Sequence, residues 1–166
     1  MWGYLMIDKD GCLKYLEINE IDYELVEHGA VYTIEEAMNE PALKGRMEVK
    51  NLFIQDDKGN RQYLVMMPGL KRLDLKKLAG DIGEKKVRFC SSDKVEKMLG
   101  VQPGSVSLFC CLNDTAAHVS IIVDDELLQE NEVGLHPIVN TATIFFRGDN
   151  FRKLLSQFDR VKILKI

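Results

Sequence analysis

Residues Arg46–Met67, RMEVKNLFIQDDKGNRQYLVMM, decide the fold. Arg46–Gln55 and Gln62–Met67 are two strand-like runs, and DDKGN between them collects turn formers, with Gly59 suited to positive φ. The pair reads as an antiparallel hairpin. Lys50 interrupts a run, Val49-Lys50-Asn51-Leu52-Phe53-Ile54, that otherwise suits a buried strand. If Val49 faces the core, Lys50 faces the other way. If Lys50 points inward it must be neutral, paired or lining a cleft, because burying a lone ammonium is costly. A solvated lysine on an outer face fits the same pattern.

Upstream, a helix is predicted over Gly11–Asn19 and a half-buried strand over Asp22–Glu27, where Tyr23 and Leu25 alternate with polar neighbours. Thr33-Ile34-Glu35-Glu36 is a capping box, opening a short helix that stops near Pro41. Downstream, Leu73–Ile82 has helical spacing with Asp74 near its start and Gly83 at its end. Ser92 or Asp93 caps a further helix through Leu99, ended by Gly100. Ser107–Leu112, His118–Val123 and Thr141–Phe146 read as strands, Asp149–Phe158 as a late helix and Val161–Ile166 as a last strand. Helices interspersed with hairpin-like strand pairs give an α+β class rather than a doubly wound parallel sheet.

The 166 residues show no repeat, low-complexity stretch or linker, so one continuous domain over residues 1–166 is the expectation. No apolar run reaches the roughly 18 residues a membrane span needs, and the opening MWGYLMIDKDG meets acidic residues too early for a signal peptide. A cytoplasmic protein is expected. Cys12, Cys90, Cys110 and Cys111 have no CxxC spacing, and His28, His118 and His136 stand far apart, so reduced thiols and no metal are expected. No Gly-rich phosphate loop is present, and no nucleotide cofactor is expected. The net charge of −4 argues against a large nucleic-acid footprint. Basic residues are nonetheless dense from Lys71 to Lys97, as solvated helix faces or a local patch.

Besides Lys50, two places could carry chemistry. In GVQPGSVS (Gly100–Ser107) two glycines and a proline force a turn, and Gly104, Ser105, Val106 and Ser107 could present backbone N–H groups to an anion or an oxyanion. An ordinary connection reads the same way. In VGLHPIVNTAT (Val133–Thr143), His136, Asn140, Thr141 and Thr143 sit between apolar residues and suit hydrogen bonding to a small polar ligand. A turn with a core histidine is the alternative. Cys110 and Cys111 lie in an apolar run where thiols are usually inert.

Taken together, EHGAVYTIEEAM (Glu27–Met38), KNLFIQD (Lys50–Asp56), RQYLVMMPGLKRLDLKKLA (Arg61–Ala79), LGVQPGSVSLF (Leu99–Phe109), LND (Leu112–Asp114) and GLHPIVNTAT (Gly134–Thr143) resemble the YbaK/prolyl-tRNA-synthetase-associated editing-domain superfamily. The resemblance is greatest to its free-standing branch that edits alanyl-tRNA(Pro). It implies a mixed, barrel-like sheet surrounded by helices, and hydrolysis of the ester joining a wrong amino acid to the 3′ end of tRNA. It assigns Lys50 as the principal functional residue. It implies a substrate-binding role for Gly104, Ser105, Val106, Ser107, His136, Asn140 and Thr141. The partners it implies are the tRNA acceptor end and, as a candidate, prolyl-tRNA synthetase. Leu108 stands where the family usually has proline, and Cys110 where it has a small residue. The same hydrolysis on another mischarged tRNA, such as cysteinyl-tRNA(Pro), and a catalytically silent tRNA- or synthetase-binding module remain the competing readings.

Overall fold

A computed structural model describes residues 6–166 of the chain; Met1–Leu5, part of the opening read above for a signal peptide, lie outside the described residues. The hairpin forms as expected. β2 (Val49–Asp56) pairs antiparallel with β3 (Gln62–Pro68), and Gly59 takes φ 74° in the turn between them. The other strands are β1 (Glu24–Glu27), β4 (Val87–Phe89), β5 (Ser120–Asp124), β6 (Glu132–Leu135), β7 (Ala142–Arg147) and β8 (Val161–Leu164). The helices among the described residues are α1 (Lys9–Ile18), α2 (Ile34–Asn39), α3 (Leu75–Asp81), α4 (Ser92–Leu99) and α5 (Asp149–Leu155).

The strands make two sheets. One is five-stranded and mixed, in the order β4-β2-β3-β5-β8, and the other is antiparallel, in the order β1-β7-β6. A parallel bridge between Glu48 and Gly134, with Gly134 N–H donating to the Met47 carbonyl at 2.8 Å, joins them. The chain is thus α+β with a mixed sheet, and among the described residues the pairings leave two sheets rather than a closed barrel.

Period-two alternation explains why β3 is buried along its whole length. Leu64 and Met66 enter the main core between the sheets, with Val49, Phe53, Ile121, Val123, Ile144 and Phe146. Tyr63, Val65 and Met67 face the opposite way, onto Leu78 of α3 and Ile122. A third small cluster packs Ala37 of α2 and Leu43 against Phe145 on the outer face of the smaller sheet. No helix among the described residues is long and apolar enough to cross a membrane.

Several expectations are corrected. Ser107–Leu112 is not a strand: Leu108–Leu112 is a 3₁₀ turn, with Cys110 N–H donating to the Ser107 carbonyl. LFCCL is buried on every side at Leu108, Phe109 and Cys110, and a short apolar run buried all round has no period to separate strand from helix. β4 and β6 were not anticipated. α4 is capped by Ser91, whose hydroxyl accepts from Lys94 N–H at 3.2 Å, not by Ser92 or Asp93. Thr33 accepts from Glu36 N–H as a capping box requires, but the Glu36 carboxylate reaches Tyr32 N–H at 2.7 Å instead of Thr33.

Leu64, fully buried at the centre of β3, tests this core. Leu64→Ala is expected to lower unfolding free energy by about 2–5 kcal/mol, read from the urea midpoint at unchanged slope.

Candidate functional site

A cavity of about 230 Å³ opens where α2, the start of β2 and the segment leading into β7 converge. Its walls include Lys50, Gly104, Val106, His136, Asn140 and Thr143 from the sequence reading, together with His28, Glu48 and Asn51. Ser105, Ser107 and Thr141 are not among its walls. Ser107 is completely buried and supports from behind, its hydroxyl donating to the His136 carbonyl at 2.7 Å. The Thr141 carbonyl accepts from His28 N–H at 2.9 Å, and the Asn140 carbonyl from Val31 N–H at 3.0 Å. These bonds tie the loop before β7 to the segment that joins β1 to α2. Within that loop Ile138 takes φ 71°. A β-branched residue in the left-handed region costs of order 1–3 kcal/mol, so the loop is held by its surroundings rather than by local preference.

The backbone groups expected to form an oxyanion site are largely committed elsewhere. Pro103–Ser105 is a 3₁₀ turn in which Ser105 N–H donates to Gln102 and Val106 N–H to Pro103. Proline has no N–H, so Gly104 carries the turn's first amide, a position that has no acceptor within the turn itself.

Val49 is 2% exposed in the main core, so Lys50 projects to the other face, as alternation demands. That face is not open solvent. It is covered by Ile34 of α2 and by the chain after β3, and the Lys50 ammonium donates to the Lys71 carbonyl. Burial, and then the nearby Arg72 charge, push the Lys50 pKa below its ordinary value.

Glu48, two residues earlier on the same side, was missed. So was its relay. Thr143 Oγ1 donates to Glu48 Oε1 at 3.3 Å, and His28 Nε2 lies 2.9 Å from the same Thr143 oxygen. His28 Nδ1 lies 2.7 Å from the Gly29 carbonyl and must donate there. Burial raises Glu48 to about 7, with Thr143 and then Arg46 opposing it. The deep wall is His136, whose burial, with a further push from His28, lowers its pKa to about 4, so the ring is neutral near pH 7. Its Nδ1, and both polar atoms of the Asn51 amide, are buried without a hydrogen-bond partner among the described residues. Buried polar atoms are normally paired, so these mark a place for a polar ligand or water. Sequence signals for Glu48 and His28 were weak, since a lone Glu before a strand and a lone His in a loop are usually solvated.

The thiols do not contribute a nucleophile. Burial raises Cys110 to about 11 and Cys111 to about 12. Among the described residues no group of three or more His, Cys, Asp or Glu is placed to hold a metal ion. Within the basic stretch Lys71–Lys97, three lysines are engaged by the protein itself. Lys71 is paired with Asp124 and Glu126 at 2.8 Å each, Lys77 with Asp81 at 2.7 Å, and Lys94 donates to Gln55 and the Gly59 carbonyl.

Four findings place the chain among known proteins. The profile of the aminoacyl-tRNA editing domain matches residues 28–154. The prolyl-tRNA editing protein ProX of Acetoanaerobium sticklandii is 37% identical over 147 residues, covering 89% of this chain and 90% of that protein. The prolyl-tRNA synthetase associated domain-containing protein 1 of Mus musculus is 32% identical over 136 residues, covering 77% and 78%. In fold, the crystal structure of hypothetical protein APE2540 superposes with a TM-score of 0.74 at 23% identity, over 92% of this chain and 96% of that one.

Glu48 gives the site a signature in stability. Its folded pKa lies above the ordinary 4.5, so the native state binds the proton more tightly than the unfolded state between pH 4.5 and about 7. Its contribution is therefore most favourable at acid pH and is lost as pH rises through about 7. Glu48→Gln is expected to gain roughly 1–3 kcal/mol relative to wild type between pH 5 and pH 8, measured as paired denaturation curves. A stability difference constant with pH would refute the shift.

Proposed function

Because the chain belongs to the aminoacyl-tRNA editing domain family, we propose that it is a free-standing deacylase hydrolysing mischarged tRNA(Pro), with alanyl-tRNA(Pro) as substrate. The observation that carries this reading is the convergence of Lys50, Gly104, His136 and Asn140 on one small cavity, although they lie far apart in sequence. The whole chain acts as one editing unit in the cytoplasm, meeting the 3′ acceptor end of the tRNA and, as a candidate partner, prolyl-tRNA synthetase.

Cavity size supports a small acyl group. About 150 Å³ suffices for a benzene ring, so about 230 Å³ holds a small aminoacyl group and part of the ribose, not a whole nucleotide. A synthetase pocket shaped for proline discriminates against the smaller alanine by only about 1–3 kcal/mol, and in this reading the shape of the second cavity, whose volume alone would admit proline, supplies the rest.

An aminoacyl ester is already activated, so positioning and charge stabilisation suffice. In this reading the Lys50 ammonium leaves the Lys71 carbonyl for the ester carbonyl or the terminal ribose, and stabilises the charge that develops as water attacks. Gly104 N–H is the backbone donor positioned to assist. Asn51, His136 and Asn140 orient the acyl group or the terminal adenosine. Ser105, Ser107 and Thr141 act through the loops they hold rather than by touching substrate.

Wild type is expected to deacylate alanyl-tRNA(Pro) rapidly and to spare prolyl-tRNA(Pro), with cysteinyl-tRNA(Pro) as the competing substrate in the same assay. Lys50→Ala should lower kcat/KM by roughly 100-fold or more while leaving the thermal midpoint within a few degrees of wild type. Substantial activity in a folded Lys50→Ala protein would remove Lys50 from the mechanism. Wild-type inactivity on all three esters would favour a silent tRNA-binding module.

A further inference from the structure

Glu48 is a carboxyl group on the wall of a small cavity, and it forms no ion pair among the described residues, Arg46 acting on it only at a distance. The nearest ammonium in sequence, Lys50, is bound to the Lys71 carbonyl instead, and Arg46 is turned away. The Arg46 guanidinium bonds Glu132 at 2.7 and 3.0 Å and Glu24 at 2.6 Å, and lies 3.5 Å over the Phe145 ring. Glu48 Oε1 is held by Thr143. Oε2 has no hydrogen-bond partner among the described residues.

The relay behind Glu48 fixes a proton count. His28 Nδ1 donates to Gly29, leaving two contacts, Nε2 to Thr143 and Thr143 to Glu48, to be filled by hydrogens. The threonine hydroxyl supplies one. The second must come either from a protonated Glu48 or from His28 carrying both ring protons. The relay therefore holds one mobile proton, and moving it from Glu48 to the half-buried His28 leaves an anion on the cavity wall without removing any hydrogen bond. A cation entering the cavity would draw the proton outward in this way, because an opposite charge favours the ionised carboxylate.

The cavity thus offers a carboxylate that a cationic ligand switches on, beside an amide and an imidazole that lack partners. Building on the deacylase reading above, we propose that Glu48 holds the α-ammonium group of the aminoacyl ester, with Thr143 and His28 as the positioning residues that set its charge. Lys50 and Glu48 then bind opposite ends of the same small group. The ammonium lies against Glu48, and the carbonyl, where negative charge develops, lies against Lys50. The site is accordingly specific for α-amino esters over uncharged esters of the same size.

The test compares alanyl-tRNA with lactyl-tRNA, in which a hydroxyl replaces the α-amino group at nearly equal volume. The quantity read is the ratio of kcat/KM for the two esters, in wild type, Glu48→Gln and Thr143→Val. This ratio does not depend on what fraction of a variant is folded. The intrinsic reactivity difference between the esters also cancels when wild type and variant ratios are compared. Glu48→Gln is expected to shrink the alanyl preference by roughly 10- to 100-fold, the usual worth of a hydrogen bond to a charged group, while hydrolysis of the lactyl ester changes little. Thr143→Val should shrink the ratio less, in the same direction. An equal loss on both esters would overturn the proposal and make Glu48 a group acting on water or on the ribose. An unchanged ratio with unchanged rates would remove Glu48 from the site. Failure of wild type to cleave either ester is a different outcome: it would sink the deacylase reading on which the proposal rests.

Discussion

The cavity depends on one point of contact, where the chain entering β2 touches β6 through the Glu48–Gly134 bridge. The two sheets otherwise pack through side chains. Here the backbones meet, and glycine at this position leaves room for side chains of the paired strand β7: a Cβ on residue 134 would lie 2.7 Å from the Phe145 ring and 2.9 Å from Thr143 Cγ2. Thr143 is the residue that holds Glu48, so the glycine that bridges the sheets also makes room for the side chain that positions the carboxyl. A protein that packed these sheets a residue further apart would keep its core and lose its cavity wall.

Burial around that junction governs the charges. His136 is driven neutral, Glu48 is driven toward its protonated form, and Lys50 is driven toward its uncharged form, all chiefly by desolvation. Such perturbation is expected where groups are arranged for binding or chemistry. Half-buried carboxylates that are paired with a guanidinium behave in the opposite way. Glu132, beside Arg46, and Glu84, beside Arg61, are held below their ordinary range by their partners. The contrast separates carboxylates held by a charged partner from groups whose shift comes chiefly from burial.

Much of this was legible in the sequence, for reasons particular to each element. The β2–β3 hairpin announced itself because the DDKGN turn and the flanking apolar runs agree, and α3 because Asp74 caps it, accepting from Lys77 N–H at 3.0 Å. Lys50 stood out because a charge inside an apolar strand is costly. The 3₁₀ turn at Leu108–Leu112 did not, since burial on all sides erases periodicity. β6 was hidden because it is four residues long and its glycine argues against a strand, whereas Gly134 makes room for the Phe145 and Thr143 side chains of the paired strand. Glu48, Asn51 and His28 were unreadable for another reason. Their burial comes from elements distant in sequence, and nothing in the local pattern shows that α2 and the loop before β7 close over them.

The two ionisable groups at the start of β2 are separated by one residue, and yet they do not pair. Each is given a different partner: Lys50 the neutral carbonyl of Lys71, and Glu48 the hydroxyl of Thr143. Lys71 can present that carbonyl steadily because its own side chain is pinned by Asp124 and Glu126 at the end of β5. A direct ion pair between Lys50 and Glu48 would satisfy both groups and leave the cavity inert, since any ligand would first have to break it. Neutral partners keep each group placed and hydrogen-bonded without cancelling its charge. A ligand with a cationic end and an end that becomes anionic during reaction can then displace weak, neutral contacts and gain two charged ones. Under the proposed deacylase reading, the interactions strengthen as negative charge builds on the carbonyl, which is the condition for binding energy to accelerate a reaction rather than merely to hold a substrate.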